Sequence, residues 1–199
     1  MKKNNEVTLR IKGDLENFRE KLIKKGYEEY DHFILDDIFM IPNNLKIEEM
    51  STREIISKAV IIRKIELIDK REIKQDLVYK IKKFNNKGEI LEQTSIRLKI
   101  LDCEDAEKFM TAIGYKRIMN IIEEDYEYTK DNFNLTTKDI KGGDKLIEAE
   151  TQINDSNYDT IDKIKKKLIE ENIPLDFSDY FIKKAEIELD KVLGRKEII

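Results

Sequence analysis

Residues 6–12 of this 199-residue chain are Glu6-Val7-Thr8-Leu9-Arg10-Ile11-Lys12, a stretch in which polar and apolar side chains alternate strictly. Because the side chains of a β-strand point alternately to its two faces, this pattern predicts a strand with one apolar and one charged side. A helix is predicted next, since Asp14 is a suitable N-cap, the apolar residues after it recur at helical spacing, and Gly26 ends the segment. The chain therefore begins with a strand–helix unit.

The rest of the sequence consists of groups of strands separated by helices. Strands are predicted at 30–41, 60–68, 77–84, 89–101, 115–128, 133–140 and 146–153, with a hairpin turn at 85–88. Helices are predicted at 51–59 after a capping box, at 102–114, around 161–168, and from a Ser178 cap through Val192. Several successive strands between helices favour an antiparallel sheet, so the predicted class is α+β.

Two strand–helix units of the sequence are similar. One ends at Gly26-Tyr27 and the other at Gly114-Tyr115, and each precedes a strand with an acidic pair, Asp36-Asp37 or Glu124-Asp125. No Pro-rich or Gly/Ser-rich linker divides the chain. We therefore predict one domain, 1–199, built from two related halves of about 1–88 and 89–199 that close a single sheet into a barrel.

Composition excludes several kinds of catalytic site. With one Cys and one His, Cys103 and His32, a single chain cannot form an internal disulfide or a Cys/His zinc cluster. The sequence contains no Walker A motif, no Gly-x-Gly-x-x-Gly, and no Gly-x-Ser-x-Gly context for a Ser–His–Asp triad. Carboxylates, lysines, arginines and a bound hard metal ion remain for catalysis, and His32 and Cys103 are expected to be structural or solvent-facing.

Charge and hydropathy indicate the environment of the protein. The chain carries 38 Lys and Arg against 42 Asp and Glu, a net charge of −4, which argues against a protein that coats nucleic acid. No apolar run approaches the roughly 18 residues of a membrane span, and residues 1–5 do not lead into the apolar segment of a signal peptide. We therefore expect a cytoplasmic protein with no nucleic-acid partner and no membrane partner.

Charges recur at every second residue on several predicted strands, so each strand directs its charges to one side. The alternating sets are Glu6, Arg10 and Lys12; Arg97 and Lys99; Glu123, Asp125 and Glu127; and Glu148 and Glu150. If that side faces solvent, these are ordinary solvated surfaces. If it lines the bore of a barrel, the mixed charges suit a phosphate-containing anion and a divalent cation, because lysines and arginines neutralise phosphates and carboxylates bind Mg²⁺ or Mn²⁺.

The order of these elements resembles the CYTH superfamily, the triphosphate tunnel fold of class IV adenylate cyclases and thiamine triphosphatases. The opening Glu6–Arg10 segment is similar to the family's Glu-x-Glu-x-Lys motif. Other matching segments are Lys25-Gly26-Tyr27, Asp36-Asp37-Ile38-Phe39, Val60-Ile61-Ile62-Arg63, Leu77-Val78-Tyr79-Lys80, Ile113-Gly114-Tyr115 and Leu146-Ile147-Glu148-Ala149-Glu150. The resemblance covers most of the chain and implies an antiparallel closed or nearly closed β-barrel with helices packed outside.

The resemblance also implies roles for individual residues, since members of the family hold a triphosphate in the tunnel with a carboxylate-bound divalent metal. Glu6, Glu148 and Glu150 would bind Mg²⁺ or Mn²⁺. The basic residues that would hold phosphate oxygens are Arg10, Lys12, Arg63, Lys80, Lys82, Arg97 and Lys99. No catalytic residue is assigned beyond these ligands. Alternatively, Lys80 and Lys82 protect a sheet edge, and Glu148 and Glu150 lie on the wet side of a strand.

The sequence departs from the family pattern at three places, the opening motif and two later sites. Thr8 replaces the second Glu of the opening motif and Arg10 replaces its Lys. The family's later alternating glutamates are replaced by Ser95, Arg97 and Lys99, and its basic cluster by Glu123, Glu124 and Asp125. The two sites have exchanged sign, so Arg97 and Lys99 could pair with Glu123 and Asp125 across the bore.

The resemblance leads to one main functional hypothesis and to alternatives. The first is a divalent-metal-dependent hydrolase of a triphosphate-containing substrate: inorganic triphosphate or polyphosphate, thiamine triphosphate or a nucleotide. A catalytically degenerate tunnel-fold module that binds an anionic ligand or a protein partner is the second, and an adenylate cyclase or a structural dimerisation domain comes after it. The C-terminal helix, with Tyr180 and Phe181, is expected to be a packing element, which could close a tunnel mouth or form a homodimer.

Overall fold

A computed structural model describes residues 6–84, 90–152 and 155–195 of the chain. In these ranges the strands are β1 (Glu6–Ile11), β2 (Glu28–Pro42), β3 (Val60–Leu67), β4 (Glu72–Phe84), β5 (Ile90–Lys99), β6 (Tyr115–Lys130), β7 (Phe133–Ile140), β8 (Lys145–Glu150) and β9 (Leu175–Asp176). The helices are α1 (Leu15–Lys24), α2 (Thr52–Ser57), α3 (Cys103–Ala112), α4 (Ile161–Glu170) and α5 (Lys184–Leu193), with a 3₁₀ turn at Ile47–Glu49. No helix in these ranges is both long enough and apolar enough to cross a membrane.

The strands form one sheet in the order β5-β4-β3-β2-β6-β7-β8-β1-β9. The pairings of β1 with β8 and β9, of β3 with β4, and of β7 with β6 and β8 are antiparallel. The predicted α+β class and antiparallel sheet are therefore confirmed. The closed form of the barrel is not observed, because β5 and β9 remain the two edges of the sheet in the described part of the chain.

The chain folds as two compact units that are not consecutive in sequence. The first unit contains the described residues of 1–33, 83–93 and 123–182, and the second contains those of 34–82, 94–122 and 183–199. The strands β2 and β6 each contribute one part to each unit. The two sequence halves at about 1–88 and 89–199 stay a prediction.

The core of the first unit lies on one face of β1, β8, β7 and β6. Val7 and Leu9 on β1 are fully buried there with Ile147 on β8, as the alternating sequence predicts. Two helices cover this face, α1 with Phe18 and Leu22 and α4 with Ile164 and Leu168. Because α1 and α4 cover the apolar face, the charged side chains of the same strands lie on the opposite face.

The second unit is held by a smaller core and by contacts between helices. Met40 on β2 and Ile62 on β3 are buried against Met110 of α3. Helix α2 begins with the predicted capping box. The Ser51 hydroxyl oxygen accepts a hydrogen bond from the Glu54 amide, and the Glu54 carboxylate accepts one from the Ser51 amide. It contacts α5, where the Arg53 guanidinium donates to Glu186 at 3.1 Å.

The predicted start of the last helix at Ser178 is wrong. Helix α5 begins at Lys184, and residues 180–182 instead extend beside β1. The Thr8 amide donates to the Tyr180 carbonyl at 3.0 Å, and the Ile182 amide donates to the Thr8 carbonyl at 3.1 Å. Backbone groups that a helix would have used are therefore satisfied by the edge of β1. Strand β4 also begins earlier than predicted, at Glu72, and the predicted turn at 85–88 lies outside the described residues.

Candidate functional site

The strand register of the first unit places its charged residues on one face. Glu6 on β1 lies opposite Glu150 on β8, and Glu148 lies opposite both Thr8 on β1 and Thr136 on β7. Directly opposed residues in antiparallel strands point to the same side of the sheet. The charged residues of four neighbouring strands therefore lie on one side of the sheet. We call this side of β6, β7, β8 and β1 the acidic face.

The three predicted metal ligands are brought together on the acidic face. One carboxylate oxygen from each of Glu6, Glu148 and Glu150 lies within 4.8 Å of the other two. Glu6 and Glu148 are partly buried and Glu150 is exposed, so the group is open to solvent on one side. Carboxylate oxygens are hard ligands that suit Mg²⁺ or Mn²⁺, and the donor set therefore fits such an ion.

Next to these glutamates, a buried lysine contacts three carboxylates. The Lys138 ammonium on β7 donates to Asp125 at 2.8 Å and lies 3.7 Å from Glu123 and 3.8 Å from Glu148. Asp125 is 0% and Glu123 1% exposed. Burial would lower the pKa of Lys138, but the carboxylates of Glu148, Glu123 and Asp125 raise it well above its usual value, so this lysine stays charged.

The acidic face extends to Glu127 on β6 and Tyr30 on β2. Burial, together with the charges of Asp31 and Glu150, raises the pKa of Glu127, although its hydrogen bond with Tyr30 acts in the opposite direction. Burial and the neighbouring Glu127 raise the pKa of Tyr30 as well. Glu127 and Tyr30 therefore release their protons less readily than they would in water.

Two of the predicted phosphate ligands, Arg10 and Lys12, belong to the first unit. Arg10 lies on β1, and Lys12 directly follows the strand. The Arg10 guanidinium donates to Asp144 at 3.0 Å and keeps about a third of its side chain exposed. Lys12 is more exposed and lies 4.0 Å from Asp176. Both alternate with apolar residues on the same side as Glu6.

The other predicted phosphate ligands lie in the second unit. Arg63 on β3 is 7% exposed, and its Nε and Nη2 atoms donate to the two carboxylate oxygens of Asp37 at 2.7 and 2.5 Å. Arg63 lies opposite Asp76 on β4, so alternation places Lys80 and Lys82 of β4 on the side that Arg63 occupies. Both lysines are partly buried, whereas Arg97 and Lys99 on β5 are exposed.

The sequence analysis did not identify Lys138 as a residue of the site, although its place in an alternating strand pattern indicates the face on which it lies. Lys138 alternates with Thr136 and Ile140 on a strand that lies between the acidic residues of β6 and β8. Arg97 and Lys99 are the predicted partners of Glu123 and Asp125, and the structure places Lys138 in contact with both carboxylates. A buried arginine requires an anionic partner, and Asp37 pairs with Arg63.

The His32 side chain is partly buried and contacts two residues of β6. Its ring stacks on Tyr126 with 4.0 Å between the centroids, and its Nε2 lies 2.8 Å from Glu124. The Arg19 guanidinium covers the other face of Tyr126 at 3.3 Å from the ring centroid. The hydrogen bonds from Tyr126 and His32 lower the pKa of Glu124.

Neither a protein-family model nor a curated protein matches this sequence. Solved structures do match its fold. The PH1819 protein of Pyrococcus horikoshii has a TM-score of 0.70 and 18% identity, covering 94% of this chain and 99% of that one. A putative adenylate cyclase of Vibrio parahaemolyticus has a TM-score of 0.60 and 12% identity, covering 97% of this chain and 98% of that one.

A third solved structure carries a described activity. It is a putative adenylyl cyclase of Hippeastrum with a dominant triphosphatase activity, and it matches with a TM-score of 0.60 and 12% identity. The match covers 99% of this chain and 98% of the Hippeastrum chain. At these identities the similarity is one of fold. The chain therefore shares the fold of these putative cyclases over nearly its whole length.

Proposed function

We propose that the protein is a divalent-metal-dependent hydrolase of a triphosphate-containing substrate, such as inorganic triphosphate, thiamine triphosphate or a nucleotide. The observation that carries the proposal is the convergence of Glu6, Glu148 and Glu150 within 4.8 Å on the acidic face. The dominant triphosphatase activity of the Hippeastrum protein, which has the same fold, supports the choice of reaction.

In this proposal the three glutamates hold Mg²⁺ or Mn²⁺. When bound, such an ion acts as a Lewis acid on a phosphoryl oxygen and offsets the charge of the phosphate chain. The glutamates themselves fix the position of the ion, because Glu6 and Glu148 are partly buried and lie on paired strands. A position defined by a rigid sheet is more precise than one on a loop.

The basic residues bind phosphate oxygens in the same proposal. Arg10 and Lys12 follow Glu6 on the same side of β1, and Lys80 and Lys82 share a side of the β3–β4 pair with Arg63. Lys12, Arg97 and Lys99 are the most exposed members of the proposed set. Hydrolysis ranks above adenylate cyclisation because it requires an ion, oriented phosphates and water, whereas cyclisation also requires contacts to a nucleoside.

The test is phosphate release from tripolyphosphate, thiamine triphosphate and ATP with Mg²⁺ or Mn²⁺. We expect the Glu148→Gln/Glu150→Gln variant to lose about 100-fold or more in rate, since a metal contributes several kcal/mol to such reactions. The matched control is Glu16→Gln/Glu20→Gln, which removes two exposed carboxylates from α1 of the same unit. Equal rates for the two variants, or no release by the wild type with any substrate, would eliminate the hydrolase.

A catalytically degenerate module that binds an anionic ligand or a protein partner is the second candidate. It is favoured by the carboxylates that already neutralise two of the proposed phosphate ligands: Asp37 at Arg63 and Asp144 at Arg10. Thermal unfolding with tripolyphosphate distinguishes this candidate, because a ligand at 100 times its Kd stabilises the native state by about 2.7 kcal/mol. A shift without turnover indicates the binding module.

A further inference from the structure

Strands β4 and β5 of the second unit have an apolar side. Leu77 on β4 and Ile100, directly after β5, belong to the apolar cluster that α3 covers. Alternation therefore places the odd-numbered residues of β4 and the even-numbered residues of β5 on the side of α3. These residues are Ile73, Gln75, Leu77, Tyr79 and Ile81 of β4, with Ile96 and Leu98 of β5.

The composition of this side differs from that of the rest of the chain. None of the positions just given carries a charge, although 40% of the residues in the chain are charged. The opposite side of the same two strands carries Lys74, Asp76, Lys80, Arg97 and Lys99. Depletion of charge is typical of the central part of a protein interface, whereas the solvated side of an antiparallel sheet usually carries polar residues.

Helix α3 covers only part of the apolar side. Its Met110 points into the core, and its Glu107 carboxylate lies 3.5 Å from the Arg117 guanidinium on β6. Since successive helical residues are about 100° apart, Phe109 and Ile113 lie on the other flank of the helix, toward β4 and β5. We call the side chains that stay exposed there the apolar outer face: Ile73, Tyr79, Ile81, Ile96, Leu98, Phe109 and Ile113, each between 36% and 64% exposed.

The apolar outer face is large enough to form a dimer interface. Its side chains are on average about half exposed, and at about 200 Å² for each fully exposed residue they present about 700 Å² of surface. The largest apolar patch on a typical monomer is about 300–600 Å², whereas each partner of a stable complex contributes about 800 Å². Interfaces between two copies of one chain are also more apolar than those of transient complexes. Size and composition therefore favour a second copy of this chain as the occupant.

We propose that the apolar outer face joins two copies of this chain, each packing this face against the same face of the other about a two-fold axis. The C-terminal helix is the other place at which the sequence predicts a homodimer. Within the described residues, α5 exposes one large apolar side chain, Val192, and so offers much less apolar surface. The inference does not depend on the proposed function, because the glutamates of the acidic face belong to the first unit and the apolar outer face belongs to the second.

The experiment measures the mass of the full chain in solution by size-exclusion chromatography with light scattering and by sedimentation velocity. We expect twice the mass of one chain at about 0.1 mM protein. The Leu98→Glu/Phe109→Glu variant should have a dimer Kd raised about 100-fold or more, because a two-fold interface contains each substitution twice. Both side chains are more than half exposed in the single chain, so the circular dichroism spectrum should not change.

Two controls separate this face from other apolar surfaces. Ile23→Glu/Ile169→Glu replaces two apolar residues of similar exposure on α1 and α4 and should leave the dimer intact. Val192→Glu changes α5 and should leave it intact as well. Dissociation by Val192→Glu would instead locate the dimer at the C-terminal helix and overturn the inference.

The wild type alone can also refute the inference. A monomeric wild type at about 0.1 mM would overturn it, and binding of that monomer to phosphatidylcholine vesicles would assign the face to a membrane surface instead. A folded Leu98→Glu/Phe109→Glu protein with the wild-type dimer Kd would overturn it too. If that variant does not fold, Leu98→Ser/Phe109→Ser takes its place, with an expected rise in Kd of about tenfold or more. An unchanged Kd in the folded serine variant would likewise contradict the proposed interface.

Discussion

Replacement of Asp37 by asparagine tests the buried ion pair of the second unit. Asp37 is 2% exposed, and its two carboxylate oxygens accept hydrogen bonds from Nε and Nη2 of Arg63. Asparagine keeps the shape and one acceptor but removes the negative charge beside a buried guanidinium. Breaking a buried pair by changing one partner costs about 3–5 kcal/mol, and the retained acceptor places this variant near 3 kcal/mol.

The assay is urea unfolding followed by circular dichroism, with thermal unfolding as a second measurement. A loss of about 3 kcal/mol lowers the urea midpoint at constant m-value, and it lowers Tm by roughly 6–12 °C in a chain of this size. The neighbouring Asp36→Asn is the matched control. Asp36 accepts one hydrogen bond from Asn120 at 2.6 Å and is only partly buried, so its replacement should cost about 1 kcal/mol.

The double variant Asp37→Leu/Arg63→Met completes the test. Replacing a buried pair by apolar residues of similar size is often neutral or stabilising, so this variant should lie within about 1 kcal/mol of the wild type. An Asp37→Asn protein within about 0.5 kcal/mol of the wild type at an unchanged m-value would refute the argument. If Arg63 binds phosphate, Asp37→Asn should also bind tripolyphosphate more tightly, because the competing carboxylate is gone.

Three further outcomes are expected. Ser51→Ala removes the capping box of α2 and should cost about 1 kcal/mol in thermal unfolding, whereas Ser51→Asp should cost less. The raised pKa of Glu127 means that its stabilising contribution is present below the unfolded pKa and is lost as the pH rises through the folded pKa. Glu127→Gln should therefore raise the urea midpoint at pH 7 and leave it unchanged at pH 4. Tyr126→Leu removes the ring that lies between His32 and Arg19 and should cost about 1–2 kcal/mol in urea unfolding, with a smaller loss for Tyr126→Phe.

Local features of the fold could be predicted because they depend on residues close together in sequence. Asp14 caps α1 by accepting from the Asn17 amide, and Ser51 begins α2, as the sequence indicates. Gly26 and Gly114 follow helices with φ angles of 87° and 92°, which side chains other than glycine rarely adopt. The alternation of residues 6–11 likewise produces a strand with one buried face.

The wrong prediction at Ser178 shows the limit of such local signals. Ser178 has the properties of an N-cap, but the backbone of residues 180–182 forms hydrogen bonds with Thr8 on β1. These partners are about 170 residues apart in the chain, so no short window contains the information. Competition from a distant strand edge therefore decides the structure of this segment.

The amino-acid sequence alone determined the positions of strands β1 to β8, but not of β9, and which side of several of them is charged, because these features follow from the identity of near neighbours. Tertiary structure decided which charges meet. The register of β1 on β8 sets Glu6 beside Glu150, and the position of β7 between β6 and β8 gives Lys138 to Asp125 and Glu148. Strand register depends on the packing of a whole sheet face, since a shift by one residue would turn every side chain to the other side.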